Sequence, residues 1–186
     1  DVTDRGALDA AAAAAIEAMG GVDLLIANSG VAQALETEKA DLDHYRWLMD
    51  VNFFGHVNTV QAFLPHFAEA KRGDIVLVSS VLAVLSVYGY GGYSASKFAI
   101  RGFAEALRQE MLLKGVRVKL FLPPTTDTPG LEEENKDKPP ITKAMEMDSS
   151  LNKTHPPMKV VEKMLEWLPN RKFIGYATFD SWFQYA

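Results

Sequence analysis

Three short apolar runs, separated by long helical patterns, constrain this chain more than any other feature of it. Residues 22–27 and 74–79 are short continuous apolar runs rich in Val, Leu and Ile, and 116–122 alternates at first and is then fully apolar. Strands of that composition are buried on both faces, which a sheet achieves when helices cover both sides. The intervening segments supply such helices. Thr3 or Asp4 caps one that runs through Met19 and stops at Gly20-Gly21. Asp41 caps a second, reaching about Phe63 or Phe67, with Pro65 marking a kink or an end. A third spans 93–113 and stops at Gly115, and another covers 157–168 with Pro157 in its first turn. Residues 172–177 follow with strand character. This alternation predicts parallel strands in an α/β, doubly wound sheet that takes ligands at the carboxyl ends of its strands.

The pattern breaks between residues 123 and 155. Residues 125–130 read as a turn, and 132–138 as a solvated charged segment ending in Pro139-Pro140. A stretch that long inside a compact domain is expected to be functional or mobile. The remaining organisation is one domain over 1–186, with 123–155 as its substrate-loop region. The first residues, Asp1-Val2-Thr3-Asp4, have no initiator Met and read as a strand end entering a helix cap. An N-terminal piece is therefore expected to precede them.

Charge and composition remove several classes of function. A formal net charge of −5 argues against a nucleic-acid surface. With no cysteine, neither a disulfide framework nor a thiolate metal site can form, and the four histidines make no metal-ligand motif. No run reaches the roughly 18 apolar residues of a membrane span, and no signal peptide is visible.

The chemistry concentrates between residues 79 and 97. Tyr93 and Lys97 lie one helical turn apart, so their side chains share a face. Unit charges about 5 Å apart at an effective dielectric of about 20 interact by roughly 3 kcal/mol. That interaction is expected to lower a tyrosine pKa of about 10 by roughly two units, towards neutrality. Ser80, at the end of the preceding strand, is placed to hold a substrate oxygen near the phenol. The plain alternative is a solvated Tyr/Lys pair on a helix surface. Further candidates follow other strands and helices. Asn28-Ser29-Gly30 ends a buried strand, with a glycine that lets a flat ligand approach the backbone. Asn52 is a poor helix former in mid-helix. Residues 123–128 offer hydroxyls and free amides to a carboxamide. Each also has a structural reading: a strand-end turn, a hydrogen-bonded buried Asn, a helix-capping Thr.

Taken together these residues resemble the short-chain dehydrogenase/reductase family over nearly the whole chain. Ala27-Asn28-Ser29-Gly30 is similar to the family's Asn-Ala-Gly turn, and Val51-Asn52 to its catalytic Asn. Ser80, Tyr93 and Lys97 match its Ser, Tyr and Lys at the family's spacing. The resemblance implies a Rossmann-like fold with Asn52, Ser80, Tyr93 and Lys97 as catalytic residues. It implies cofactor contacts from Asp1, Val2, Asn28, Ser29, Gly30, Tyr93, Lys97, Pro123, Thr126 and Thr128, with Asp1-Val2 reading adenine. Two departures stand out. Pro124 replaces the Gly usual after the strand's Pro, and the family's N-terminal βαβ unit with its glycine-rich turn is expected to lie before residue 1. Gly89-Tyr90-Gly91-Gly92 is no substitute for that turn, because it does not link a strand directly to a helix.

Within the family, residues 93–107, 123–130 and 133–139 are similar to reductases of long-chain 3-ketosphingoid bases. That similarity implies NADPH as cofactor, a lipid substrate and a place on the cytosolic face of the endoplasmic reticulum. Membrane association, peripheral or anchored, would then run through segments outside this chain. It also implies a homo-oligomer paired through the helices that begin near Asp41 and Tyr93. Residues 81–85 and the loop after Pro129 would offer an apolar wall for a lipid tail, unless 81–85 is ordinary core. The aromatic end, 179–185, either finishes the core or touches a membrane. Two other readings stay open: a family member acting on a steroid, retinoid or other alcohol or ketone, and a non-catalytic cofactor-binding regulator.

Overall fold

The computed structural model describes residues 1–148 and 153–178. The aromatic segment 179–185 lies outside the described residues. Four strands form one sheet in the order β1-β2-β3-β4: β1 (Leu24–Ala27), β2 (Asp74–Val78), β3 (Arg117–Leu122) and β4 (Ile174–Tyr176). Every pair is parallel. Helices occupy the crossovers, as the alternation of patterns predicts.

Side chains alternate across the strands, which decides what each face packs against. Leu25, Ile75, Leu77, Val118, Leu120 and Leu122 point to one face. There they meet α3 (Gly55–Ala70) through Val60 and Phe67, and α4 (Gly91–Leu112) through Ile100, Ala104, Leu107 and Met111. The α4 residues recur at helical spacing, so one stripe of the helix is buried. Burying each such side chain fully contributes about 1.5–3 kcal/mol. Val76, Val78 and Phe121 point the other way, against Val160, Met164 and Trp167 of α7 (Pro157–Trp167). On that same face Leu24 and Ile26 of β1 are 40% and 37% exposed.

Lys119, a charge inside β3, is accommodated on the α7 side. Its ammonium donates to the carbonyls of Leu168 and Asn170, each at 2.6 Å, and lies 4.3 Å from the centre of the Trp167 ring. It thereby satisfies carbonyls that the end of α7 leaves free.

Helix α1 (Arg5–Met19) is capped by Asp4 and stopped by Gly20 in the left-handed region, φ 67°. The second expected helix is more complex than its pattern suggests. It comprises α2 (Leu42–Leu48), a π-helical segment (Met49–Phe54) and α3. Pro65 does not end it, since α3 runs on to Ala70, which corrects the reading of Pro65 as an end. Pro65 and Gln61 are both exposed, so the carbonyl that the proline cannot pair faces water, while Val60 and Phe67 anchor both sides.

The larger correction concerns residues 123–155. Where a loop is expected, the chain forms α5 (Pro129–Lys136) and α6 (Pro140–Asp148). Thr128 caps α5, its hydroxyl accepting from Leu131 N, with Pro129 in the first turn. Nor is residue 138 solvated: Lys138 is 4% exposed and bound to two carboxylates. The base of this insertion is closed by a parallel bridge between Thr126 and His155. His155 N donates to Thr125 O and Asp127 N to His155 O, both at 2.9 Å.

Candidate active site

Parallel strands β1, β2 and β3 end at the same side of the sheet, so the residues that follow them converge. They line a cavity of about 720 Å³. Asn28 and Gly30 reach it after β1, Ser80 after β2, and Pro123, Pro124, Thr126 and Thr128 after β3. Tyr93 and Lys97 enter it from the first turns of α4. Asp1, Val2, Ser29 and Asn52 do not line it. Asp1 is exposed and binds Thr3, while Val2 packs against Gly55 and accepts from Asn58.

The local anchoring explains the placement. Ser80 caps a short 3₁₀ turn, its Oγ accepting from Leu82 N at 3.1 Å. Ser79 Oγ donates to Lys97 O at 3.0 Å, tying the end of β2 to α4. Ser96 Oγ donates to Tyr93 O at 2.7 Å and accepts from Asn52 Nδ2 at 2.9 Å. Asn52 is fully buried and grips Val31 twice: Oδ1 accepts from its N at 2.8 Å and Nδ2 donates to its O at 2.9 Å. The amide therefore holds the turn that carries Gly30. A mid-helix asparagine did signal a special position. Ser79 and Ser96 carried no comparable signal, because buried serines bonded to helix carbonyls have no fixed pattern.

Gly30 is small for a reason. A Cβ there would lie 3.1 Å from Asn52 Oδ1 and 3.2 Å from Lys97 Nζ. Lys97 is 4% exposed, and its ammonium meets no hydrogen-bond acceptor among the described residues. A bare backbone, an unpaired ammonium donor and the hydroxyls at 126 and 128 suit a flat carboxamide-bearing ring joined to a ribose diol. The residues present fit the reactive end of a nicotinamide nucleotide.

Electrostatics differ from the expectation drawn from spacing. Burial pushes the Tyr93 phenol up to about 12, against a hydrogen bond from Ser80 that lowers it, and the charge of Glu134 adds to the rise. Burial alone pulls Lys97 down to about 8. The ammonium lies 5.5 Å from the centre of the Tyr93 ring, over its face. Lys97 is buried and Tyr93 half-buried, so desolvation outweighs the attraction estimated for two charges in a more solvated setting. Below Asn52, His56 is 1% exposed and held at about 4 by burial and then by the charge of Lys97.

Tyr90, Glu134, Lys138 and Glu146 also line the cavity and were not singled out in the sequence. The centres of the Tyr90 and Tyr93 rings lie 5.9 Å apart, edge to face. Apolar lining comes from Val81, Leu82 and Leu85, whereas Ala83 and Val84 belong to the core, so 81–85 serves both purposes. No helix among the described residues is long and apolar enough to cross a membrane.

Residues 1–139 match the family model described as short chain dehydrogenase. A 3-dehydrosphinganine reductase from Danio rerio is 39% identical over 147 residues, 79% of this chain and 44% of that protein. The Arabidopsis thaliana 3-dehydrosphinganine reductase TSC10B is 41% identical over 163 residues, 86% of this chain and 48% of its own length. This chain thus spans about half the length of the curated relatives it matches. Among solved structures, a short chain dehydrogenase from Burkholderia cenocepacia in complex with NADP superposes with a TM-score of 0.80 at 27% identity. It covers 98% of this chain and 68% of that one.

Proposed function

The chain belongs to the short-chain dehydrogenase family, and on that premise we propose that its protein reduces the keto group of 3-ketodihydrosphingosine to dihydrosphingosine with NADPH. The observation that carries the enzymatic reading is the single cavity gathering Ser80, Tyr93 and Lys97. The choice of a long-chain sphingoid base rests on the two reductases named above and on the apolar lining supplied by Val81, Leu82 and Leu85.

A nicotinamide nucleotide, when bound, supplies the hydride for the carbonyl carbon. Tyr93 donates the proton to the carbonyl oxygen. Its phenol, held near 12, is in the protonated form that a donor needs at neutral pH. Ser80 Oγ orients that oxygen and steadies its developing charge. Lys97 holds ribose hydroxyls and stabilises the phenolate left behind. Asn52 has both amide hydrogens committed, so its part in returning a proton falls to the remaining lone pair of Oδ1, through water. Asn28, Gly30, Pro123, Thr126 and Thr128, which line the cavity, would hold the nicotinamide end, and Asp1 and Val2, which lie outside it, the adenine.

The same reading places the protein on the cytosolic face of the endoplasmic reticulum membrane, where its lipid substrate resides. Two copies pair through α2–α3 and α4, with Phe54 and Phe98, 49% and 42% exposed, as apolar contacts. The test is the full-length protein carrying Tyr93→Phe, assayed with NADPH and 3-ketodihydrosphingosine. A loss of about 10²–10⁴-fold in turnover with cofactor binding retained is expected. Turnover within a few-fold of the parent would overturn the assignment.

A further inference from the structure

The two side chains assigned to the chemistry sit one turn apart on α4, and the main-chain carbonyl of each is held by a buried serine. Ser96 Oγ donates to Tyr93 O at 2.7 Å, and Ser79 Oγ donates to Lys97 O at 3.0 Å. Both carbonyls lie inside α4, where the helical ladder already supplies a partner. A serine that bonds back to its own helix also loosens the winding slightly. Neither hydroxyl is therefore explained by the needs of the helix. Ser79 lines the cavity, yet its hydroxyl hydrogen is committed to Lys97 O and not to a ligand.

The far ends of the two links differ. Ser96 is fully buried and accepts from Asn52 Nδ2 at 2.9 Å. Asn52 in turn grips Val31 through both its N and its O. The backbone of Tyr93 is thus referenced to the turn that carries Gly30, where a flat ring meets the main chain. Ser79 belongs to the sheet instead, its N donating to Phe121 O at 2.9 Å. The backbone of Lys97 is thus referenced to the ends of β2 and β3.

We propose that Ser96 and Ser79 are positioning residues with separate tasks, Ser96 setting Tyr93 against the ring-binding turn and Ser79 setting Lys97 against the strand ends. The assignment rests on the reductase reading above, in which Tyr93 gives the proton and Lys97 holds ribose hydroxyls. Misplacing a reacting group by about 1 Å costs up to about 10²-fold in rate, so one lost anchor is enough to register. The anchor of a proton donor registers in kcat. The anchor of a cofactor-holding cation registers mainly in NADPH affinity.

The test uses the full-length protein with NADPH and 3-ketodihydrosphingosine. Ser96→Ala is expected to lower kcat by about 10–100-fold and to enlarge its solvent deuterium isotope effect, with NADPH Kd and ketone KM near parental. Ser79→Ala is expected to raise NADPH Kd by about tenfold, with a smaller loss in kcat and a parental isotope effect. Ser96→Thr keeps an oxygen that reaches the same carbonyl and should restore most of kcat. A lowered Tm with parental kcat, isotope effect and NADPH Kd in both Ala variants would overturn the assignment. So would the same kinetic change in both. Should the Ala variants fail to fold, Ser96→Cys and Ser79→Cys, similar in size but weak donors, are read in the same way. If the parent reduces no 3-ketosphingoid base, the substrate reading falls and the anchors are judged without it. Faster amide exchange over residues 91–97 in Ser96→Ala and weaker NADPH binding in Ser79→Ala would then sustain them, and parental values in both would end them.

Discussion

The two walls of the cavity are built differently. One consists of strand ends and the first turns of α4. Its side chains are placed by backbone geometry and by short bonds to helix carbonyls, such as Ser79 to Lys97 O and Ser96 to Tyr93 O. The other is the cover formed by α5 and α6. It is held by side-chain charge, through Lys138 between Glu134 and Glu146, and by Thr142 Oγ1 donating to Tyr88 O at 3.1 Å. The difference is one of anchoring: backbone spacing and short hydrogen bonds to helix carbonyls fix the first wall, while exchangeable side-chain charges hold the second. The second wall can therefore change without disturbing the first.

The largest expected effect belongs to Lys97→Met. Turnover should fall by about 10²-fold or more, yet the variant should be more stable than the parent by about 3 kcal/mol at pH 7. Lys97 is held at about 8 against a free value of 10.5, so between those pH values the folded state binds fewer protons than the unfolded one. The burial penalty is complete below about 8 and vanishes above 10.5. Urea unfolding should show parental stability rising across that window and the variant flat; a variant less stable at pH 7 would contradict the picture of a charge buried at cost.

Lys138→Met tests the other wall. Removing one partner of a buried ion pair costs about 3–5 kcal/mol. That cost should fall on the cover, seen as faster amide exchange over residues 129–148 with β2 and β3 still protected. Loss of protection in the strands as well would mean that the walls are not separable.

His56 sharpens the first wall. Its imidazole is held at about 4 against 6.5, so the unfolded state takes up a proton that the folded state refuses as pH falls between them. The associated stability, about 3 kcal/mol, is whole above pH 6.5 and lost by about 4. His56→Gln should flatten that acid limb. The smallest effect is expected of Tyr90→Phe, about 1 kcal/mol for the hydrogen bonds to Glu134 and Glu146. It should appear as a few-fold rise in KM with kcat nearly kept.

The same division governs what could be read before the structure. Strands 22–27, 74–79 and 116–122 were legible because strands covered by helices read as short, mostly apolar runs, although Lys119 interrupts the third and Leu24 and Ile26 of the first stay part-exposed. Tyr93 and Lys97 were legible because helical spacing alone puts them on one face. The cover was not. Helices of eight and nine residues are too short for a periodic stripe, and Lys138 meets Tyr90 across a separation in sequence that no local pattern encodes. The direction of the Tyr93 shift was also out of reach, since it depends on burial by parts of the chain remote from residue 93.

The π-helical turn at Met49–Phe54 has a further consequence. Such a segment inserts one residue into an otherwise regular winding, and in an α-helix one residue is a rotation of about 100°. Asn52, which grips Val31, and Val60 and Phe67, which fill the core, are therefore set in phase by that extra residue. Deleting any single position from 49 to 54 would let the helix wind evenly, and the chain would then have to give up either the amide's aim or the packing beneath the sheet.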